Sequence, residues 1–164
     1  MKNFYILLFF IVILVAASGF NFSADNSANL LHDGYYTAEM AEYINGWKEY
    51  LTIYVNHGKI ITAEFDGRNS SGFVKSWDMD YMRNMNQLGG TYPNKFMRAY
   101  VSELVARQST EGIDAVSGAT DSYHSFKKLA DAAMLQARAG NGKVAFVDIG
   151  REEQISLNEN ENQE

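Results

Sequence analysis

The sequence predicts an α+β fold: an antiparallel sheet with an N-terminal β-hairpin, packed against about three helices in a single domain. Three observations lead to this prediction. Apolar residues recur with a period of two over residues 47–65 and with a period near 3.6 over residues 78–139, and a length of 164 residues favours one domain. Strands thus come before helices, an order typical of an α+β domain rather than of an alternating α/β chain.

The β-hairpin occupies residues 47–65. Its first arm alternates, with one side built from Trp47, Glu49, Leu51, Ile53 and Val55. The Asn-His-Gly-Lys sequence at 56–59 supplies turn residues, and residues 59–65 return as the second arm. Residues 33–38 have the aromatic and β-branched character of a short first strand, and residues 144–147 are long enough for a last one. Since only one hairpin face is largely apolar, we expect the sheet to pack on one side.

Three helices follow the hairpin. Asp78 is a candidate N-cap of a first helix, which ends at Gly89 and Gly90. One face of this helix carries Tyr81, Met82, Met85 and Leu88. Pro93 stands where a second helix begins, and that helix presents a stripe of Met97, Tyr100, Val101, Leu104 and Val105. A third helix over residues 122–139 buries Phe126, Leu129, Ala130, Ala133 and Ala137 and ends at the glycines of residues 140–142.

The pattern divides the chain into residues 1–19 as a signal peptide or signal anchor, 20–32 as a linker, 33–149 as the folded domain and 150–164 as an acidic, disordered tail. Lys2 precedes an apolar run over residues 4–17, and small residues follow it. This is the layout of a secretory signal, with cleavage expected after Ala17; an uncleaved anchor is the alternative, and residues 4–17 would then associate with the membrane. Either way, we expect the domain to lie outside the cytoplasmic membrane, as a periplasmic, cell-surface or membrane-anchored protein.

The composition excludes several kinds of chemistry. With no cysteine, the chain can build no disulfide, thiolate nucleophile, iron–sulfur cluster or lipid-modified cysteine. The histidines at 32, 57 and 124 lack ligand spacing, so no metal site is expected. Residues 151–164 carry −4 of the formal net charge of −6, which leaves a mildly acidic domain without a basic face. Nucleic acid is therefore not an expected partner.

The most informative segment is Asp-Ala-Val-Ser-Gly-Ala-Thr at residues 114–120. Its small residues allow backbone amides to approach an anion closely, and the helix that follows would direct its free N–H groups to the same place. The hydroxyl of Thr120 would stand within reach of a phosphate bound there. The alternative is purely structural: Thr120, Asp121 or Ser122 caps the helix, and Gly118 is a turn residue.

This segment resembles the flavinylation motif of bacterial FMN-binding domains, Asp-x-x-(Ser/Thr)-Gly-Ala-(Ser/Thr). The family contains small secreted single-domain proteins, including membrane immunogens, and is related to the covalent-FMN subunits of sodium-pumping NADH:quinone reductase and Rnf-type complexes. The resemblance covers about residues 33–142 and is looser outside the motif. Other matching positions are Asp33-Gly34-x-Tyr36, Gly58-Lys59-Ile60, Gly72-x-x-Lys75-Ser76-x-Asp78-x-x-Tyr81, Met85 and Phe126.

The resemblance implies a role for each motif residue. Thr120 would carry FMN through a phosphoester, Ser117, Gly118 and Ala119 would cradle the phosphate, and Asp114 would serve recognition by a flavin transferase. That separate enzyme would bring FAD and magnesium and release AMP, so the chain needs no catalytic residue of its own. Many single-domain relatives begin with a lipidated cysteine, which this sequence lacks, and this departure puts its membrane attachment in doubt.

Five further residues are candidate flavin contacts, each with a plainer alternative. Ser76 is either a cap residue or a flavin contact, and Lys75 either neutralises the phosphate or reduced ring or is an exposed lysine before a helix. Tyr81 would stack on the ring or simply pack, as would Trp77. Met85 would line the ring or belong to a core-facing helix stripe; Met79 falls off that stripe.

Together these features predict an exported electron-transfer flavoprotein with covalent FMN on Thr120. Its partners would be the flavin transferase and membrane or extracellular redox proteins, since a lone flavin has no internal relay. A non-redox extracytoplasmic binding module or surface antigen that retains the fold is the alternative. A self-contained reductase is a third reading, for which the sequence offers no obvious proton donor or substrate domain.

Overall fold

The computed structural model describes residues 30–148, so the N-terminal apolar segment and the acidic tail lie outside the described residues. In chain order the elements are β1 (Gly34–Met40), β2 (Lys48–Asn56), β3 (Lys59–Arg68), a 3-10 turn (Lys75–Trp77), α1 (Met79–Gly89), α2 (Pro93–Arg107), α3 (Thr120–Ala139) and β4 (Ala145–Val147). The α+β class, the hairpin and the three helices are as predicted. Within residues 30–148, no helix is long and apolar enough to cross a membrane.

The four strands form one mixed sheet in the order β3-β2-β1-β4. β2 runs antiparallel to both neighbours, with Ile53 opposite Tyr36 on β1 and Leu51 opposite Phe65 on β3. β4 runs parallel to β1, with Phe146 opposite Glu39. The sheet is therefore mostly antiparallel, as predicted, and its one parallel pair is a finding that the sequence did not indicate.

The core lies between one face of this sheet and helices α2 and α3. The inward positions of β2 are buried as the alternation predicted, and Leu51, Ile53 and Val55 are fully buried. The predicted inner residues of α3 are all fully buried, and three of the five are alanines, which let the helix lie close to the sheet. Phe126 joins the two layers, because its ring centroid lies 5.3 Å from that of Phe65 and 5.1 Å from that of Tyr100.

Helix ends follow the predicted signals. The Asp78 side chain accepts a hydrogen bond from Tyr81 N at 2.9 Å, and Gly90 ends α1 in the left-handed conformation. Pro93 occupies the first turn of α2. That helix ends at Gln108, whose side-chain amide bonds both backbone groups of Ile60: Oε1 accepts from Ile60 N at 2.8 Å, and Nε2 donates to Ile60 O at 2.9 Å. Gln108 thus ties α2 to β3.

One face of α1 is only partly covered. Met82 is buried and Tyr81 and Met85 are half-buried, but Leu88 at the end of the same stripe is 89% exposed. Leu88 therefore shares a face with Tyr81 and Met85, as predicted, but is open to solvent at the end of the helix. Trp77, just before the helix, is likewise exposed, so the packing role that was the plainer expectation for it is wrong.

Candidate functional site

Helix α3 begins at Thr120 without a capping side chain. Its N-cap is Ala119, which has no side-chain oxygen to offer the first-turn N–H groups. The backbone turn that leads into the helix is closed by Ala119 N, which donates to Val116 O at 2.9 Å. Thr120 itself is exposed. The motif therefore presents a free hydroxyl beside an uncapped helix N-terminus, where the helix dipole favours negative charge. Thr120 is the first helical residue, not the cap.

Two tyrosines hold the motif loop in place from the core side. The hydroxyl of Tyr100 accepts a hydrogen bond from Val116 N at 3.0 Å and donates to Ala119 O at 3.4 Å. The hydroxyl of Tyr123 donates to Ile113 O at 2.8 Å. Burial raises the pKa of Tyr100, so its hydroxyl stays protonated and continues to donate. The loop is thus anchored by the hydroxyl groups of one buried and one half-buried tyrosine, while its outer residues remain accessible.

Gly118 is required by both conformation and space. Its φ of +77° lies in the left-handed region, and a Cβ built there would stand 2.7 Å from Gly89 O. In the other direction, a Cβ on Gly89 would stand 3.3 Å from Gly118 Cα. The motif loop and the end of α1 therefore touch backbone to backbone. This contact fixes how α1 lies beside the start of α3.

A cavity of about 260 Å³ lies at the start of α3. The residues that line it come from the loop before β2, from β2, from the 3-10 turn, from α1 and from the motif: Ile44, Asn45, Glu49, Lys75, Tyr81, Met85, Gly118, Ala119, Thr120, Asp121, Ser122 and Ser125. Its ionisable residues Glu49, Lys75 and Asp121 sum to a formal charge of −1. At its rim, Asn45 Nδ2 donates to Asp121 Oδ2 at 3.5 Å.

A buried ion pair forms part of the cavity wall. Lys75 Nζ lies 2.8 Å from Glu49 Oε1, and the two side chains are only 6% and 5% exposed. The Ser122 hydroxyl donates to the same carboxylate oxygen at 2.7 Å and lies 3.3 Å from Lys75 Nζ. Burial alone would lower the pKa of Lys75, but the Glu49 carboxylate more than offsets it, so this pKa lies above its usual value. The ammonium therefore stays charged inside the protein.

The commoner interpretation from the sequence, that Lys75 is an exposed lysine before a helix, is wrong. Its ion pair with Glu49 on β2 holds it in the protein interior. Its Nζ also lies 5.5 Å from the centroid of the Tyr81 ring, within range of a cation–π interaction. Lys75 therefore links β2, α1 and α3 at one point.

A second cavity, of about 480 Å³, adjoins the first. It is lined by Tyr81, Asn84, Met85, Leu88, Gly89 and Gly118. Three of these residues, Tyr81, Met85 and Gly118, also line the first cavity. The two cavities therefore lie next to each other, one at Thr120 and the other along α1.

The structure brings together six of the nine sequence-predicted site residues, which line the first cavity: Lys75, Tyr81, Met85, Gly118, Ala119 and Thr120. Ser117 and Asp114 are exposed on the loop outside this lining. Ser76 lies elsewhere: it lines a separate cavity of about 360 Å³ between β3 and α2, and its N–H donates to Asp66 Oδ1 at 3.1 Å.

Sequence reasoning missed Glu49, Ser122 and Asn45. Glu49 had a visible signal, because it is a charged residue at an inward position of an otherwise apolar strand face, and buried charges are normally paired. Ser122 and Asn45 carried no comparable signal. Among residues 30–148, no group of three His, Asp or Glu side chains is arranged to hold a metal ion.

Fold and site together define a single-domain α+β protein with a polar cavity at an uncapped helix N-terminus. The chain belongs to the family of the 15 kDa lipoprotein of Treponema pallidum, to which it is 34% identical over 115 residues, covering 70% of this chain and 82% of that protein. It is also similar to the crystal structure of the CPE2226 protein from Clostridium perfringens, with a TM-score of 0.69 and 35% identity over 73% of this chain and 98% of the other. No protein-family model matches the sequence.

Proposed function

We propose that this protein is an exported electron carrier with FMN bound covalently to Thr120 through a phosphoester. The observation that supports it most is the placement of the motif residue: Thr120 is exposed, stands at the first position of a 20-residue helix with no capping side chain, and borders a cavity. A threonine in this position presents its hydroxyl to an incoming transferase. First-turn N–H groups can then donate to the phosphate oxygens without any arginine.

The close approach of Gly118 to Gly89 supports the cradle role that the resemblance assigns to the motif. A side chain at residue 118 would collide with the backbone of Gly89, whereas glycine lets the loop lie against α1 and line the cavity with backbone. Ala119, the next residue, is buried with only a methyl group. The motif thus keeps the area around the Thr120 hydroxyl free of bulky side chains.

Charge favours a covalent link over reversible binding. The ionisable side chains that line the cavity sum to −1, and the helix N-terminus offsets this by roughly half a unit charge. A free FMN phosphate, which carries nearly two negative charges, would gain little electrostatic affinity there. An ester bond to Thr120 would retain the cofactor despite this balance, which matters outside the cytoplasm where dissociated FMN is lost.

Transfer would proceed by attack of the Thr120 hydroxyl on the FMN-side phosphorus of FAD, held with magnesium by the transferase. The new oxygen–phosphorus bond forms as the pyrophosphate bond breaks, AMP leaves, and the hydroxyl proton passes to a base of the transferase. Once attached, the flavin supplies one- or two-electron redox chemistry, and this chain contributes attachment and orientation. The exposure of Thr120 suits exchange of electrons with external proteins.

Export is supported by two further points. The relative from Treponema pallidum is named a lipoprotein, which describes a membrane-attached protein. This sequence has no cysteine to carry lipid, so we propose that the apolar residues 4–17 direct export and, if retained, attachment.

The test is co-expression with a bacterial FAD-dependent flavin transferase, followed by intact-mass measurement. We expect the wild type and Thr120→Ser to gain the mass of FMN less one water, and Thr120→Val to gain none. Thr62→Val, at an exposed position on β3, is the matched control and keeps the gain. A wild type that gains no mass, or a Thr120→Val variant that does, overturns the proposal; the first result would favour a non-redox binding module.

A further inference from the structure

Helix α1 carries an apolar stripe that no described element covers completely. Tyr81, Met85 and Leu88 follow the spacing i, i+4, i+7 and so share one face. Coverage falls along the stripe: Tyr81 and Met85 are half-buried and Leu88 is almost fully exposed. A single exposed leucine needs no explanation by itself. Here, however, it lines the 480 Å³ cavity that adjoins the Thr120 site.

We propose that this groove on α1, lined by Tyr81, Asn84, Met85 and Leu88, is the seat of the isoalloxazine ring; the inference rests on the proposed attachment of FMN to Thr120. The first support is proximity. Gly118, two residues before Thr120, belongs to the lining of both cavities. A ring tethered to Thr120 by its ribityl chain would therefore have this groove beside it.

The second support is size. From Tyr81 to Leu88 the helix advances about 10 Å at its usual rise per residue. That length matches the long dimension of a fused tricyclic ring. The groove floor is formed by backbone, because Gly89 and Gly118 meet there without side chains. A flat ring would therefore find a shallow surface whose length is set by the helix.

The third support is chemistry. The isoalloxazine ring is apolar at its dimethylbenzene edge and polar at its pyrimidine edge. Leu88 and Met85 offer aliphatic and thioether groups, which suit an aromatic surface, while Tyr81 offers an aromatic face. Asn84 supplies the amide that a pyrimidine edge would bond. Other occupants of an apolar groove, namely a second copy of this chain or the transferase itself, predict different results in the test below.

The experiment uses protein flavinylated by the transferase and confirmed by intact mass. Leu88→Gln and Tyr81→Leu are compared with wild type and with Leu135→Gln, which alters an exposed leucine on α3. Flavin fluorescence and visible circular dichroism report ring contact, because a tyrosine against the ring quenches its emission and a fixed ring shows induced dichroism. We expect wild type and Leu135→Gln to be quenched relative to free FMN. Both groove variants should regain emission and lose dichroism at full mass gain.

Each alternative result overturns the inference in a recognisable way. If the groove variants are fully flavinylated and their spectra match wild type, the ring lies elsewhere, although attachment to Thr120 stands. If Leu88→Gln slows flavinylation yet the loaded spectra are unchanged, the groove binds the transferase. If it converts a dimer to a monomer in size-exclusion chromatography with unchanged spectra, the groove is an interface between copies. Failure of the wild type to gain mass overturns attachment and ring seat together.

Discussion

Replacing Lys75 with methionine tests the buried ion pair in the cavity wall. The substitution keeps a long apolar side chain but removes the ammonium that Glu49 Oε1 contacts at 2.8 Å. Glu49 then stays buried with the Ser122 hydroxyl as its remaining hydrogen-bond donor. Removing one partner of a buried pair typically costs about 3–5 kcal/mol, because the other charge is left uncompensated. We expect Lys75→Met to lower the free energy of unfolding by about that amount, a large part of a typical 5–15 kcal/mol.

The double variant Lys75→Met/Glu49→Gln separates the charge effect from packing. It removes both charges and retains an oxygen that can accept from Ser122. Replacement of a whole buried pair by neutral groups is often close to neutral. We therefore expect the double variant to be more stable than Lys75→Met, with a coupling energy of about 1–3 kcal/mol between the two positions.

Urea denaturation followed by circular dichroism measures these differences. Arg107 and Glu103 provide the matched control, since this pair on α2 is about half exposed and Arg107→Met should cost no more than about 1 kcal/mol. The pair raises the pKa of Lys75 above its usual 10.5, so its contribution is full at neutral pH and is lost only as pH rises through the higher folded value. A cost of Lys75→Met no larger than that of Arg107→Met would refute the reasoning.

Three further changes probe the motif loop and the hairpin turn between β2 and β3. Gly118→Ala should destabilise the domain by about 1–3 kcal/mol and slow flavinylation, because it adds both backbone strain and a steric contact with α1. Gly142→Ala is the control and should do neither, because the space around Gly142 is open. Thermal melts compare the stabilities, and mass spectrometry compares the flavinylation. Tyr100→Phe leaves the backbone N–H of Val116 without its acceptor and should cost about 1–3 kcal/mol in urea denaturation. Backbone N–H groups of the hairpin turn lower the pKa of Asp33, so its stabilising effect, present above pH 3.8, should vanish as pH falls further, and acid unfolding of Asp33→Asn should show a weaker pH dependence. Equal acid sensitivity of Asp33→Asn and wild type would contradict the last expectation.

The elements could be predicted because their signals are local. Asp78 caps α1, Pro93 opens α2 and glycine ends α1 and α3, each through an interaction with its own helix. The direction of β4 could not be predicted, because it depends on where the 20-residue helix α3 delivers the chain beside β1. The three residues of β4 contain no information about the direction of β1, which is distant in sequence.

The candidate site likewise contains residues that local sequence could predict and residues that it could not. Gly118 and Thr120 were recognisable because a contiguous motif contains them. Lys75 was misjudged because its partner Glu49 is 26 positions away, and nothing next to Lys75 in sequence indicates burial. The exposure of Leu88 could not be predicted for a related reason: periodicity shows which residues share a helix face, but it does not show whether another element covers that face.

The contact between Gln108 and Ile60 has a consequence for how copies of this protein behave at high local density. β3 is an outermost strand of the sheet, and outermost strands invite pairing with another chain. The Gln108 amide occupies the backbone groups of Ile60 near one end of this edge, and Val74 bridges to Arg68 at the other. An incoming strand would have to displace both before it could extend the sheet. The β3 edge is thereby blocked, near both of its ends, against pairing with a strand of another copy.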